Sequence, residues 1–345
     1  MVLAVQWVAD DAPCLRLIDQ RLLPAQEEYI DVRTVDVLID AIRTLAVRGA
    51  PALGATGALG VVVAMNEAAR NGWSEDRLQA EVDRVRDARP TAVNLAWGVD
   101  QVRPLMSGGV DEVLASALRL VAEDEAANRE LSRLGADWIL ARTGRSSVRV
   151  VTHCNTGALA TTAWGTAYGI IHELQDRGAL ELVYADETRP LLQGSRLTSW
   201  ELTQDGIPHV VECDGAAAST ILRGLVDVAI IGADRITANG DTANKVGSVA
   251  LALACRRAGI PFVVAAPFST VDLDTATGDE IVIEERSGDE VLVVAGHRVA
   301  PATARGFNPA FDVTPHDLID AVVTERGIVE PAAAPAARLL DTIAD

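Results

Sequence analysis

Cys154, Asp234, Asn244 and Lys245 have the types and placements suited to chemistry on an anionic substrate. Cys154 follows an apolar strand pattern at 148–153 and precedes a helical pattern at about 158–176. A thiol between a strand end and a helix N-terminus faces ligand, and the helix dipole lowers its pKa. The bland reading is a buried, inert cysteine, and it suits Cys14, Cys213 and Cys255. Asp234 follows a second apolar run, 226–231, at the start of a loop rich in Gly, Asp, Asn and Thr. It suits proton transfer, or else a plain loop carboxylate capping the next turn. The pattern predicts that Asn244 and Lys245 open a helix and hold an anion there.

Other residues carry weaker signals. Arg48 ends a helical pattern just before Gly49 and Pro51, beside a fresh helix N-terminus that favours anions. It reads equally well as an arginine paired with a surface carboxylate. Pro90 holds Arg89 out of helical geometry, where it is either a ligand or a solvated cation. Gln193, at a helix opening, suits substrate hydroxyls or the backbone, and Asp241 reads as a turn residue. His153 is adjacent to Cys154, so on a strand the two side chains diverge, and it reads as a structural histidine. The glycines at 54, 57 and 60 are not a dinucleotide fingerprint, and no P-loop or nucleophile elbow occurs.

The elements that must position these groups fall into two regions. After short strands at 2–8 and 14–18, with a turn near Asp10-Asp11, a helix capped by Thr34 is expected to stop at Val47-Arg48-Gly49. Helical patterns follow at 74–88 and 93–106, with a long one from 110 to about 142. Residues 1–130 therefore read as a mainly helical domain with a short β lead-in, and 131–345 as a second, α/β domain. There, strands at 148–153, 181–185, 209–213, 226–231 and 261–266 alternate with helices at about 158–176, 193–204, 215–224 and 245–258. Such alternation implies βαβ crossovers and a parallel sheet, with ligands bound outside the strands' carboxyl ends. Beyond it, 280–284 and 291–294 read as an antiparallel pair, Thr314 as the cap of a last helix, and the Ala/Pro-rich tail from Glu330 as peripheral.

Composition bounds the function. A net charge of -19 argues against a nucleic-acid footprint and leaves any anionic substrate to local cations. The four cysteines form no C-x-x-C pair, which suits a reducing cytoplasm and suggests neither a disulfide framework nor a zinc site. No signal-peptide pattern opens the chain. The uncharged run 49–66 is long enough to span a membrane, but with Pro51 and its spaced glycines it reads as a buried helix packed closely on a neighbour, and the chain as soluble.

Taken together, the motifs resemble the methylthioribose-1-phosphate isomerases of methionine salvage. The matching stretches are Arg48-Gly-Ala-Pro-Ala52, Arg89-Pro-Thr-Ala-Val-Asn-Leu95, Thr152-His-Cys-Asn-Thr-Gly-Ala-Leu-Ala-Thr161, Glu187-Thr-Arg-Pro190, Gln193-Gly-Ser-Arg-Leu-Thr198, Gly232-Ala-Asp-Arg235, Asn239-Gly-Asp-Thr-Ala-Asn-Lys-Val-Gly247 and Asn308-Pro-Ala-Phe-Asp-Val-Thr-Pro-His-Asp-Leu318. They run in order along nearly the whole chain. The resemblance implies a smaller helical N-terminal domain, a Rossmann-like C-terminal domain and a homodimer. It implies phosphate or sugar contacts from Arg48, Gly49, Ala50, Arg89, Gln193, Asn244 and Lys245. It also implies Cys154 as the base or transition-state residue and Asp234 as proton donor. Only 8–15, where relatives often carry glycines, departs from the pattern.

That chemistry explains the residue types. An aldose phosphorylated on C1 has no free aldehyde, so an acid must protonate the ring oxygen, and a buried Asp234 of raised pKa would serve. Hydrogen then moves from C2 to C1, through a Cys154 thiolate and a cis-enolate or by hydride migration in a dry apolar pocket. Neither route asks for a metal or redox cofactor. Ribose-1,5-bisphosphate and 5-deoxyribose-1-phosphate isomerases are the enzymatic alternatives. A regulatory subunit of the initiation-factor exchange factor is the non-enzymatic one, and keeping both Cys154 and Asp234 speaks against it. The expected site lies in the cleft between the two domains.

Overall fold

A computed structural model describes residues 3–10, 12–90, 93–333 and 338–343. Val2 of the first expected strand, Asp11 of the turn after it, Thr91 and Ala92 of the Arg89 motif, and part of the Ala/Pro-rich tail lie outside the described residues. The chain divides into two compact units, residues 1–127 with 156–165, and 128–155 with 166–345.

In the first unit, an antiparallel sheet of Val5–Val8, Cys14–Ile18 and Tyr29–Val32 precedes the helices. Thr34 caps Val35–Arg43 by accepting from the Val37 N–H at 3.4 Å. That helix stops at Arg43 rather than at 47–49, because Leu45 takes a left-handed conformation (φ 63°). Gly49 instead precedes Ala50–Asn71, with Pro51 in its first turn. This second helix is long and apolar enough to cross a membrane, yet 78% of its most apolar stretch is buried inside the protein. Its glycines are the reason it fits there. A Cβ on Gly57 would lie 2.4 Å from the Leu95 carbonyl oxygen, and one on Gly98 would lie 2.0 Å from that of Gly54, so the helix packs directly on Val93–Val102.

The second unit is built on a sheet in the order Gly327–Val329, Ala321–Thr324, Phe262–Ala265, Val228–Ile231, Val148–Thr152, Leu180–Asp186, His209–Glu212. All neighbours are parallel except the hairpin that adds Gly327–Val329 at one edge. Successive strand residues face two separate cores, as the period of two requires. Val150, Val228, Ile230, Val263 and Val323 join one, and Val151, Ala229, Ile231, Val264 and Val322 the other. Burial on both faces explains why these strands read as unbroken apolar runs.

Several expected elements differ. Residues 157–165 form turns, and the helix after them spans only Ala167–Asp176. Asn244 and Lys245 end a strand, Thr242–Lys245, and do not open a helix; the helix begins at Ser248, after Gly247 (φ 115°) breaks the chain direction. That strand belongs to a small sheet with Val271–Asp272, Arg235–Thr237 and Phe311–Thr314. Thr314 ends its strand rather than capping a helix, since the β-branched run Ala321–Thr324 that follows joins the main sheet. Val293–Val294 pairs with His297–Arg298, not with 280–284.

Candidate active site

The Val148–Thr152 strand is internal to the sheet, paired with Val228–Ile231 on one side and Leu180–Asp186 on the other. Thr152 Oγ1 donates to the Ile230 carbonyl at 2.8 Å, tying the carboxyl ends of the first two together. Cys154, two residues past that point, is 7% exposed and sits in the left-handed region with φ 64°. An L-residue other than Asn, Asp or Gly adopts this conformation only under constraint. Hydroxyls supply it on both sides. The Cys154 N–H donates to Thr188 Oγ1 at 2.9 Å, and its carbonyl accepts from Thr198 Oγ1 at 2.5 Å. Thr198 closes a wide helical turn, Gly194–Thr198, and also accepts from Asn155 Nδ2 at 3.3 Å. No helix starts at Cys154, because the chain after it turns until Ala167. The expected helix dipole therefore does not act on this thiol.

His153 is buried, as a structural histidine should be, and has two partners. Its Nδ1 lies 2.8 Å from Asp186 Oδ2 and its Nε2 2.9 Å from the Val246 carbonyl. Burial pushes the Asp186 carboxyl up to about 6, with His153 working against that rise. Burial works to lower the His153 pKa, but the hydrogen bond and charge of Asp186 prevail and raise it. A Cβ on Gly247 would meet the His153 ring at 2.7 Å, so glycine is what lets the Val246 carbonyl approach.

Asp234 N–H donates to the Ala243 carbonyl at 2.9 Å, which fixes its loop against the strand carrying Asn244 and Lys245. Its side chain is exposed, contrary to the expected buried carboxyl, because only the backbone of this loop is drawn into the small sheet. Asn244 is buried and donates to Ser248 Oγ at 3.1 Å. Lys245 Nζ donates to the Ala310 carbonyl at 2.7 Å and lies 4.5 Å above the Phe311 ring. Asp312 accepts from the Gly247 and Val249 N–H groups at 2.8 and 3.3 Å, completing the start of the Ser248 helix. Gln193 is buried and its Oε1 has no hydrogen-bond partner. Next to it, a Cβ on Gly194 would meet the Asp186 carbonyl oxygen at 1.6 Å.

Within the second unit, then, Cys154, Gln193, Asp234, Asn244 and Lys245 follow or adjoin strand ends linked by direct hydrogen bonds. Arg48, Gly49, Ala50 and Arg89 belong to the first unit. Gly49 (φ 94°) approaches Ala160 so closely that a Cβ would lie 2.2 Å from its carbonyl oxygen. The Ala52 N–H donates to that oxygen at 3.2 Å. Arg48 and Arg89 are both half-buried. The sequence reading gave no role to Asp186, Thr188 or Thr198, although Thr188 and Thr198 lie in stretches that carry the family resemblance. Their signal was that Asp186 ends an apolar strand and Thr188 follows within two residues, where such sheets place functional groups.

The family model described as the initiation factor 2 subunit family matches residues 46–331, and the chain belongs to that family. It is 53% identical to the probable bifunctional methylthioribose-1-phosphate isomerase/methylthioribulose-1-phosphate dehydratase of Nocardia farcinica, covering 96% of this chain but 61% of that protein. It therefore spans less than two thirds of that relative's length. It is 49% identical to the methylthioribose-1-phosphate isomerase of Anaeromyxobacter sp. (strain K), with 97% and 96% of the two chains covered. Among solved structures, 5-methylthioribose 1-phosphate isomerase from Pyrococcus horikoshii OT3 is similar at 36% identity and TM-score 0.88, covering 99% of this chain and 96% of that one. The translation initiation factor eIF-2B subunit delta from A. fulgidus is similar at 38% and 0.83, covering 96% of both. The relatives of matching length place the chain among the methylthioribose-1-phosphate isomerases of its family.

Proposed function

We propose that the chain is an aldose–ketose isomerase that converts 5-methylthioribose 1-phosphate to 5-methylthioribulose 1-phosphate in methionine salvage. The observation that carries this reading is Cys154, held in a left-handed conformation just past the end of the internal strand Val148–Thr152, in a chain whose relatives of matching length bear that name. Asp234 protonates the ring oxygen as its bond to C1 breaks. Cys154 takes the proton from C2, the electron pair forms a C1–C2 enol, and the proton is returned to C1. The C2 hydroxyl then gives its proton to Asp234 and becomes the ketone, so both residues end as they began. Substrate covering the exposed Asp234 would desolvate it and suit it to this exchange. Arg48, Gly49, Ala50, Arg89, Gln193, Asn244 and Lys245 hold the phosphate and sugar, spending binding energy on orientation. The reaction balances without a metal or redox cofactor. The working form is a homodimer in the cytoplasm, to which the four thiols are suited.

Turnover of purified protein on this substrate, with Cys154→Ser and Asp234→Asn each reduced by about 10³-fold or more, is the expected result. Full activity in Asp234→Asn would sink the proton-donor role. In heavy water, the enol route incorporates deuterium at C1, and complete retention of the C2 hydrogen would replace it with hydride migration. Faster turnover of 5-deoxyribose 1-phosphate or ribose 1,5-bisphosphate would reassign the substrate.

A further inference from the structure

Cys154 donates its N–H to a residue that is itself in the left-handed region: Thr188 has φ 65°. For a β-branched residue this is a costly outlier, which persists only where the surroundings over-determine it. Here they do. The Thr188 and Arg189 N–H groups donate to the two carboxylate oxygens of Asp214, each at 2.7 Å. The Thr188 hydroxyl donates to the Asp186 carbonyl at 3.0 Å while accepting from Cys154 at 2.9 Å, so both its roles are taken. The side chain is fully buried, and Gly194 clears the space beside it, since a Cβ there would lie 2.9 Å from Thr188 Oγ1. Valine has the same shape and would fill this space, so packing alone does not explain a hydroxyl.

We propose that Thr188, anchored by Asp214, is a positioning residue that holds Cys154 in its left-handed conformation and thereby aims the thiol at the substrate. The inference rests on Cys154 acting in turnover. Thr198, on the carbonyl side, completes the clamp. Without the Thr188 hydroxyl the Cys154 N–H loses its partner and the strained conformation its support. The thiol then samples other orientations.

The test compares Thr188→Val and Thr188→Ser in the full chain. Thr188→Val should lower kcat by about tenfold to a hundredfold with KM little changed, the signature of lost orientation rather than lost binding. Thr188→Ser, which restores the hydroxyl, should turn over like the parent. A second readout needs no substrate: alkylation of Cys154 by iodoacetamide, located by peptide mass spectrometry, should be several-fold faster in Thr188→Val. The exposed Cys213 serves as reference. Parent-like kcat and parent-like alkylation in Thr188→Val would overturn the proposal, as would a Thr188→Ser variant as impaired as Thr188→Val. Full activity in Cys154→Ser would overturn the catalytic role of Cys154 and this inference with it. A parent inactive on the sugar phosphate, with Cys154 alkylation still accelerated in Thr188→Val, would overturn only the functional reading.

Discussion

Val246 offers His153 Nε2 a carbonyl oxygen at 2.9 Å, and a carbonyl has no proton to give, so Nε2 carries one. The 2.8 Å contact between Nδ1 and Asp186 needs a second proton, whichever partner owns it. The folded pair therefore holds two protons where an unfolded histidine and aspartate hold one above pH 6.5. A folded-state pKa raised above the unfolded value gives stability that is complete below the unfolded pKa and lost as pH rises through the folded one. Stability should accordingly fall from pH 6.5 upward, by at most about 1.4 kcal/mol per pH unit from this pair. Asp186→Asn removes the shared proton, so melting temperatures between pH 6.5 and 8.5 should decline less steeply in the variant than in the parent. An unchanged slope would show that the pair does not hold the extra proton. At this scale the sequence was only partly legible. The type and strand-end position of Cys154 marked it, but its left-handed conformation and its hydrogen bonds to Thr188 and Thr198, more than thirty residues away, have no local sequence signal.

Among the elements, the glycines at 54, 57 and 98 draw two helices into backbone contact, and the regular spacing of the first two made that approach readable in advance. Gly98→Ala would force a Cβ to within 2.0 Å of the Gly54 carbonyl oxygen. The variant should lose about 1–3 kcal/mol, a melting-temperature drop of a few degrees. A calorimetric transition at the parent temperature would contradict the packing argument. Five of the seven strands of the main sheet were legible as apolar runs, whereas Ala321–Thr324 fell within the expected last helix and its hairpin partner Gly327–Val329 was not read. The small sheet was not legible, because Thr242–Lys245 is polar and its pairing with Phe311–Thr314 is long-range. A local signal did exist: Asn239-Gly240, an established hairpin pair, sits where the chain reverses between Arg235–Thr237 and Thr242–Lys245. Reading it would have moved Lys245 from a helix opening to a strand end.

For the whole molecule, the helices Ala217–Leu222 and Ser248–Ala258 leave Leu222 and Leu253 more than half exposed, and the edge strand His209–Glu212 leaves Val210 and Val211 at 41% and 44%. Apolar side chains and an uncapped sheet edge on one chain favour burial against another. Sedimentation equilibrium should therefore give twice the chain mass of 36.4 kDa, and a single-chain mass at micromolar concentrations would exclude the homodimer. The acidic composition directed attention to a few cations, but composition says nothing about which chain segments fold together. Residues 156–165 pack with the N-terminal unit although they lie deep in the sequence of the other.

That excursion makes the N-terminal unit discontinuous, and the discontinuity bears on how the protein is made. Gly49 and Ala52 meet a backbone segment around Ala160, so the start of the Ala50–Asn71 helix lacks its neighbour until residue 160 has been synthesised. A ribosome releasing the chain from its N-terminus exposes an unfinished module while the first sheet strand and the turn after it emerge, and pairing across such a sequence gap is slow. The same threading means that a gene fragment ending at the unit boundary would encode a body missing one of its walls.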